Sequence, residues 1–121
     1  MLPFALQACA AFNLVCNLTS TLASNPAGED LAQSAWTVTL RVDLDQRHWC
    51  VAECEEVMSL AQVTDTHIRF GTANEGPRSI GGILDRRTGL YSDRKQWPDM
   101  TIRIEGRCAR APFTGFAPDP V

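Results

Sequence analysis

The chain is expected to fold as an all-β domain, a small antiparallel β-barrel or two-sheet sandwich, and three observations carry that expectation. In AWTVTLRVDLD, residues 35–45, Trp36, Val38, Leu40, Val42 and Leu44 alternate strictly with polar or charged residues, the period of a strand buried on one face. DMTIRIEGRCAR, residues 99–110, places Met100, Ile102, Ile104 and Cys108 in one phase and Thr101, Arg103, Glu105 and Arg107 in the other. Most of the remaining chain is short apolar pieces bounded by Pro, Gly, Asn and Asp, the punctuation of strands and turns.

Taken in order, FNLVCNLTS puts Phe12, Leu14, Cys16 and Leu18 in one phase and reads as the first strand, although Val15 interrupts the polar phase. SNPAGED at 24–30 is a loop, and the strand at 35–45 follows. A short strand is expected around Trp49, then a helical turn or two from Val51 to about Met58. Further short strands are expected in LAQVT at 60–64, HIRFGT at 67–72, RSIGGILD at 78–85 and GLYS at 89–92. ANEGP at 73–77 is a loop, and Asp85 to Gly89 is a hairpin turn in which Gly89 supplies positive φ. This makes about seven or eight short strands in residues 11–110, followed by a Pro-rich tail at 111–121 lying over the surface as coil.

A chain of 121 residues is one domain by size, and 45% apolar with 21% charged residues favours neither a disordered nor a membrane-spanning chain. The net charge of -3 comes from interspersed acids and bases, so no basic face for nucleic acid is expected. Five cysteines point to an oxidising compartment or to metal ligation. The opening MLPFALQACAA is apolar apart from Gln7, and Ala8-Cys9-Ala10 has the small-x-small form of a signal-peptidase site. With no Lys or Arg before Arg41, residues 1–10 are read as the remnant of an export signal whose start lies upstream, or as an N-terminal arm.

Cleavage after Ala10 leaves Cys16, Cys50, Cys54 and Cys108, an even set with three possible connectivities. If a barrel closes with its first and last strands as neighbours, Cys16 and Cys108, both in the inward phase, come together and Cys50 pairs with Cys54. RHWCVAEC at 47–54 then becomes a stapled corner after a short strand, with a Cα separation in the range a disulfide permits. The rival is zinc held by His48, Cys50, Cys54 and His67 in a reducing cytoplasm, although the paired short spacings of structural zinc sites do not occur. A redox centre fits less well, because the Cys-x-x-Cys spacing is exceeded by one residue.

No nucleophile elbow or glycine-rich phosphate loop occurs, and the carboxylate pairs Asp43/Asp45 and Glu55/Glu56 suit a solvated surface, so no catalysis and no cofactor are expected. Outward-phase Arg41, Arg69, Arg103 and Arg107 alternate with acids and are expected in cross-strand ion pairs. Arg86 and Arg87 sit at the hairpin tip, where charge faces either solvent or a partner, with Tyr91 two residues beyond Gly89.

The frame of FNLVC, WCVAEC, RTGLY and GRC, over residues 12–108, resembles small exported bacterial β-barrel proteins of unknown function. The two ends alone are similar to periplasmic lysozyme-inhibitor barrels, which begin with an aromatic-x-Cys-like strand tied by a disulfide to the C-terminal strand. That family's Ser-Gly-x-x-Tyr loop is not matched: Thr88-Gly89-Leu90-Tyr91 is one residue short and lacks the Ser. The resemblance implies an exported, inhibitor-like binding module, periplasmic or secreted, whose partner is a protein or a small apolar ligand. A metal-stabilised cytoplasmic β domain is the alternative. An open apolar cavity favours the small ligand, whereas a filled barrel with an exposed aromatic on a loop favours a protein.

Overall fold

The strict alternation that begins at residue 35 runs to Asp43 in one of two long strands that form a hairpin, and residues 44 and 45 lie in the turn that follows. The computed structural model describes residues 10–24, 30–71 and 80–116, so the expected signal remnant lies almost wholly outside the described residues. The strands are β1 (Ala11–Ser24), β2 (Asp30–Asp43), β3 (His48–Val51), β4 (Met58–Ser59), β5 (Gln62–Val63), β6 (His67–Arg69), β7 (Ile83–Asp85), β8 (Leu90–Gln96) and β9 (Met100–Ala111). All pair antiparallel in one sheet of order β4-β3-β2-β1-β9-β8-β7-β6-β5.

The two ends of that order are consecutive in the chain, since only Leu60 and Ala61 separate β4 from β5. The Leu60 N–H donates to the Arg47 carbonyl at 2.8 Å on one side, and the Ala61 N–H to the Arg69 carbonyl at 2.9 Å on the other. The sheet therefore curls until residues 58–63 serve both of its margins, and little unpaired edge is left at this seam. Inside the curl, Trp49, Phe70 and Tyr91 are almost fully buried, with Trp49 edge-on to Phe70 at 5.1 Å between ring centroids. Leu14, Leu18, Leu40, Val42, Ile68 and Ile104 join the same cluster. Each such side chain contributes roughly 1.5–3 kcal/mol of burial, and together they form the core of the curl.

β9 lies beside β1 with Cys16 directly opposite Cys108, and their sulfurs are bonded at 2.05 Å. Cys50 and Cys54 are bonded at 2.08 Å. Both pairs are those expected from barrel closure. Oxidised pairs of this kind persist in oxidising, extracellular-type surroundings.

Three local expectations are corrected. No helix forms between Val51 and Met58, where residues 52–54 are a turn and residues 55–56 a bend. The Cys50–Cys54 bridge reaches across that turn, Cys54 takes φ 66°, and the Cys54 N–H donates to the Val51 carbonyl at 2.6 Å. β8 continues past GLYS to Gln96, because its polar run finds complete pairing on β9. Arg41 is not on a wet face: it is 3% exposed, with Nη1 donating to the Gly115 carbonyl at 3.2 Å. Residues 112–116 cross the outside of the β1–β2 hairpin here, and Asn13 exchanges hydrogen bonds with Thr114 through Nδ2 (3.0 Å) and Oδ1 (3.3 Å).

Candidate mouth site

The turn that joins β7 to β8 begins with Asp85, whose Oδ1 accepts the backbone N–H groups of Arg87 (2.8 Å) and Thr88 (3.3 Å). An aspartate at this position of a turn caps the donors that the turn leaves unpaired. The Gly89 N–H closes the turn on the Asp85 carbonyl at 2.8 Å, and Gly89 takes φ 79° as the sequence requires. A Cβ on Gly89 would stand 2.4 Å from the Cys108 carbonyl oxygen, so only glycine lets the turn approach β9. The backbone and side-chain donors of Arg87, with help from Thr88, hold the Asp85 carboxyl below its ordinary value of 3.8.

Arg86 is fastened to the neighbouring turn between β5 and β6, its N–H donating to the Thr66 carbonyl at 2.8 Å and its Nη1 to the Thr64 carbonyl. Arg87 points outward, its side chain 68% exposed and 3.4 Å from Asp85 Oδ2. His67 belongs to the same corner, with Nδ1 at 2.8 Å from Thr66 Oγ1 and Nε2 at 3.9 Å from Asp85 Oδ2. Tyr91 does not face a partner with these arginines. It is 1% exposed, and its hydroxyl accepts the backbone N–H groups of Gly81 (3.1 Å) and Gly82 (3.0 Å).

Below the turn the curl opens into a cavity of about 260 Å3, floored by Phe12, Leu14, Ile68 and Leu84, with Cys108 at its side. Arg86, Arg87, Arg110 and Asp85 stand around it. The Arg110 guanidinium lies 4.2 Å from the centroid of the Phe12 ring, a cation–π contact that places a positive charge over the apolar floor. Three guanidiniums against one carboxylate leave two positive charges at the rim of a chain whose net charge is -3. Arg110 and Phe12 were not singled out in the sequence. The signal was present, since Arg110 continues the inward phase of Cys108 and pairs with Leu14, the inward neighbour of Phe12.

The residues of the metal alternative do not converge. Cys50 and Cys54 are bonded to each other, His48 lies edge-on to Phe116 at 6.3 Å, and His67 is engaged with Thr66 and Asp85. Among the described residues no three His, Cys, Asp or Glu side chains form a group able to hold a metal ion. No helix among the described residues is long and apolar enough to cross a membrane. No protein-family model, curated protein or solved structure matches the chain. Fold and site together define a disulfide-tied, all-β domain with a buried apolar core and a small cationic mouth.

Proposed function

We propose that the protein is an exported, non-enzymatic binding module, periplasmic or secreted, that engages a protein partner at the mouth formed by the 85–89 turn and the ends of β1 and β9. The observation that carries this reading is the pairing of an apolar floor with an arginine rim. A cavity of about 260 Å3 falls below the roughly 300–1,000 Å3 of small-molecule sites and is suited to a single side chain. The buried apolar core and the exposed Trp97 on the turn between β8 and β9 favour a protein over an apolar small molecule on the same grounds. The complementary partner element is a protruding loop with an aliphatic or aromatic residue beside an acidic one, which Arg87 and Arg110 would pair.

Selection of displayed peptides against the immobilised protein tests the mouth. Enriched sequences should carry an acidic residue next to a large apolar one, and their binding should be lost in Arg87→Glu/Arg110→Glu. A consensus that binds that variant unchanged, or no consensus at all, counts against the reading. Export is tested separately by alkylating the protein as isolated from its host and weighing it: four blocked thiols at Cys16, Cys50, Cys54 and Cys108, or a bound zinc ion, would overturn it.

A further inference from the structure

The seam at residues 58–63 leaves little edge, but the long hairpin of β1 and β2 runs on past β3. β3 pairs with β2 only at residues 40–43, and one further bond on that side runs from the Ala52 N–H to the Thr39 carbonyl at 2.9 Å. Backbone groups turn to alternate sides of a strand with a period of two, so Thr37, Ala35 and Gln33 direct their N–H and carbonyl groups to the same side as Thr39, away from β1. Among the described residues no strand lies beside them there. All three are exposed. This row has a definite end on each side: Thr39 is taken by Ala52, and a shift of the β1–β2 register bulges Leu31 out of the ladder, 58% exposed.

An open edge is a template for another strand, and proteins guard such edges with charge, proline or a covering element. The β2 edge has no guard in its sequence, since residues 31–40 read LAQSAWTVTL, without a charge or a proline. The other margin of the hairpin's sheet differs. β8 also runs past its neighbour β7, which pairs with it only at Tyr91 and Ser92, and its continuation Asp93-Arg94-Lys95 is charged at every position. The strand that fits the β2 edge is short and uncharged, and β2 itself supplies one. A two-fold axis at Ala35 sets Ala35 opposite Ala35 of the partner subunit and Gln33 opposite Thr37 of the partner subunit, which closes about six backbone hydrogen bonds. No like charges meet across that axis, and the alanine methyl groups leave the two strands room to approach. The bulged Leu31 of each copy then reaches the corner at Ala52 of the partner subunit, where β3 ends. We infer that the 33–37 edge of β2 is a dimerisation surface on which a second copy of this chain pairs antiparallel, joining two curled sheets into one. The contact consumes the edge of both copies, so assembly stops at two. This inference is independent of the mouth and of its partner.

The test is sedimentation velocity of the oxidised full chain from micromolar to millimolar concentration. A single reversible equilibrium between monomer and dimer is expected. Ala35→Lys changes an exposed side chain and sets two lysines opposite each other on the axis, so it should weaken the dimer about tenfold or more, and Ala35→Glu should do the same. An equimolar mixture of these two variants should recover the dimer, because opposite charges then face each other, and that recovery also shows both variants to be folded. Ala35→Pro deletes the N–H on the axis without removing a bond of the β1–β2 ladder, and it should weaken the dimer as well. Arg87→Gln, at the mouth, should leave the equilibrium unchanged. A monomer at every concentration, assembly beyond two copies, a dimer indifferent to Ala35→Lys, no recovery in the mixture, or an equal loss in Arg87→Gln overturns the assignment.

Discussion

Tyr91 is the single tyrosine of the chain, and its hydroxyl fastens two consecutive glycine N–H groups from inside the curl. Tyr91→Phe keeps the ring and removes the acceptor, which leaves the Gly82 N–H buried and unpaired; a loss of about 1–3 kcal/mol is expected in denaturant unfolding. Burial first, and the nearby Asp93 carboxylate second, push the phenol above its ordinary value of 10.0, while the two glycine N–H bonds pull it down. The folded state therefore holds the phenolic proton more tightly than the unfolded chain does. That contribution is complete below pH 10.0 and fades as pH rises through the higher folded value. Phenolate absorbance reports this residue alone, so the native protein should show one late, steep alkaline transition that coincides with unfolding. A transition at the ordinary value with the fold intact would contradict the buried hydroxyl. Arg41 shows the opposite case of legibility: its alternation marks it correctly as outward, yet it is buried because residues 112–116 cover it. Periodicity reports which face a side chain takes, and it carries no information on what later crosses that face.

At the scale of elements, the 85–89 turn is held by one carboxylate. Asp85 is depressed below 3.8, so its bonds to Arg87 and Thr88 contribute above that value and are lost as pH falls through the lower folded one. Amide exchange of Arg87 and Thr88 should accelerate below about pH 3.8 while β1 and β9 remain protected, and Asp85→Asn, which has no carboxyl to protonate, should abolish that acid-dependent onset. Simultaneous loss of all protection would show that the turn is not an independent unit. This turn was legible because Asp and Gly carry its chemistry locally, as Asp85 and Gly89 do. The corner at 52–54 was not: VAECEEVM has helical composition, and the bridge from Cys54 to Cys50 overrides that preference. β8 was read too short for a related reason, since SDRKQ has no apolar phase and its strand character comes from pairing with residues 101–105 of β9.

For the whole molecule, the inward phases of Cys16 and Cys108 disclosed the most, because two residues far apart in sequence could meet only if the first and last strands were neighbours. The candidate site was less legible: the hairpin arginines were evident, but the Phe12 floor and Arg110 depend on which strands end together. The two bridges should differ in weight. Their cysteines are 92 and 4 residues apart, and loop-closure entropy assigns about 4 to 5 kcal/mol to Cys16–Cys108 and about 2 kcal/mol to Cys50–Cys54. Cys16→Ser/Cys108→Ser should accordingly lower the unfolding free energy by more than Cys50→Ser/Cys54→Ser, and chemical denaturation of both variants measures the order. The long bridge also has a topological consequence. It joins residues 16 to 108 into a covalent loop, so a single cut by a protease anywhere within that span linearises the loop and releases nothing. Both halves stay tied through Cys16 and Cys108, still packed across β1 and β9, and two bands would separate on a gel only after a reductant is added.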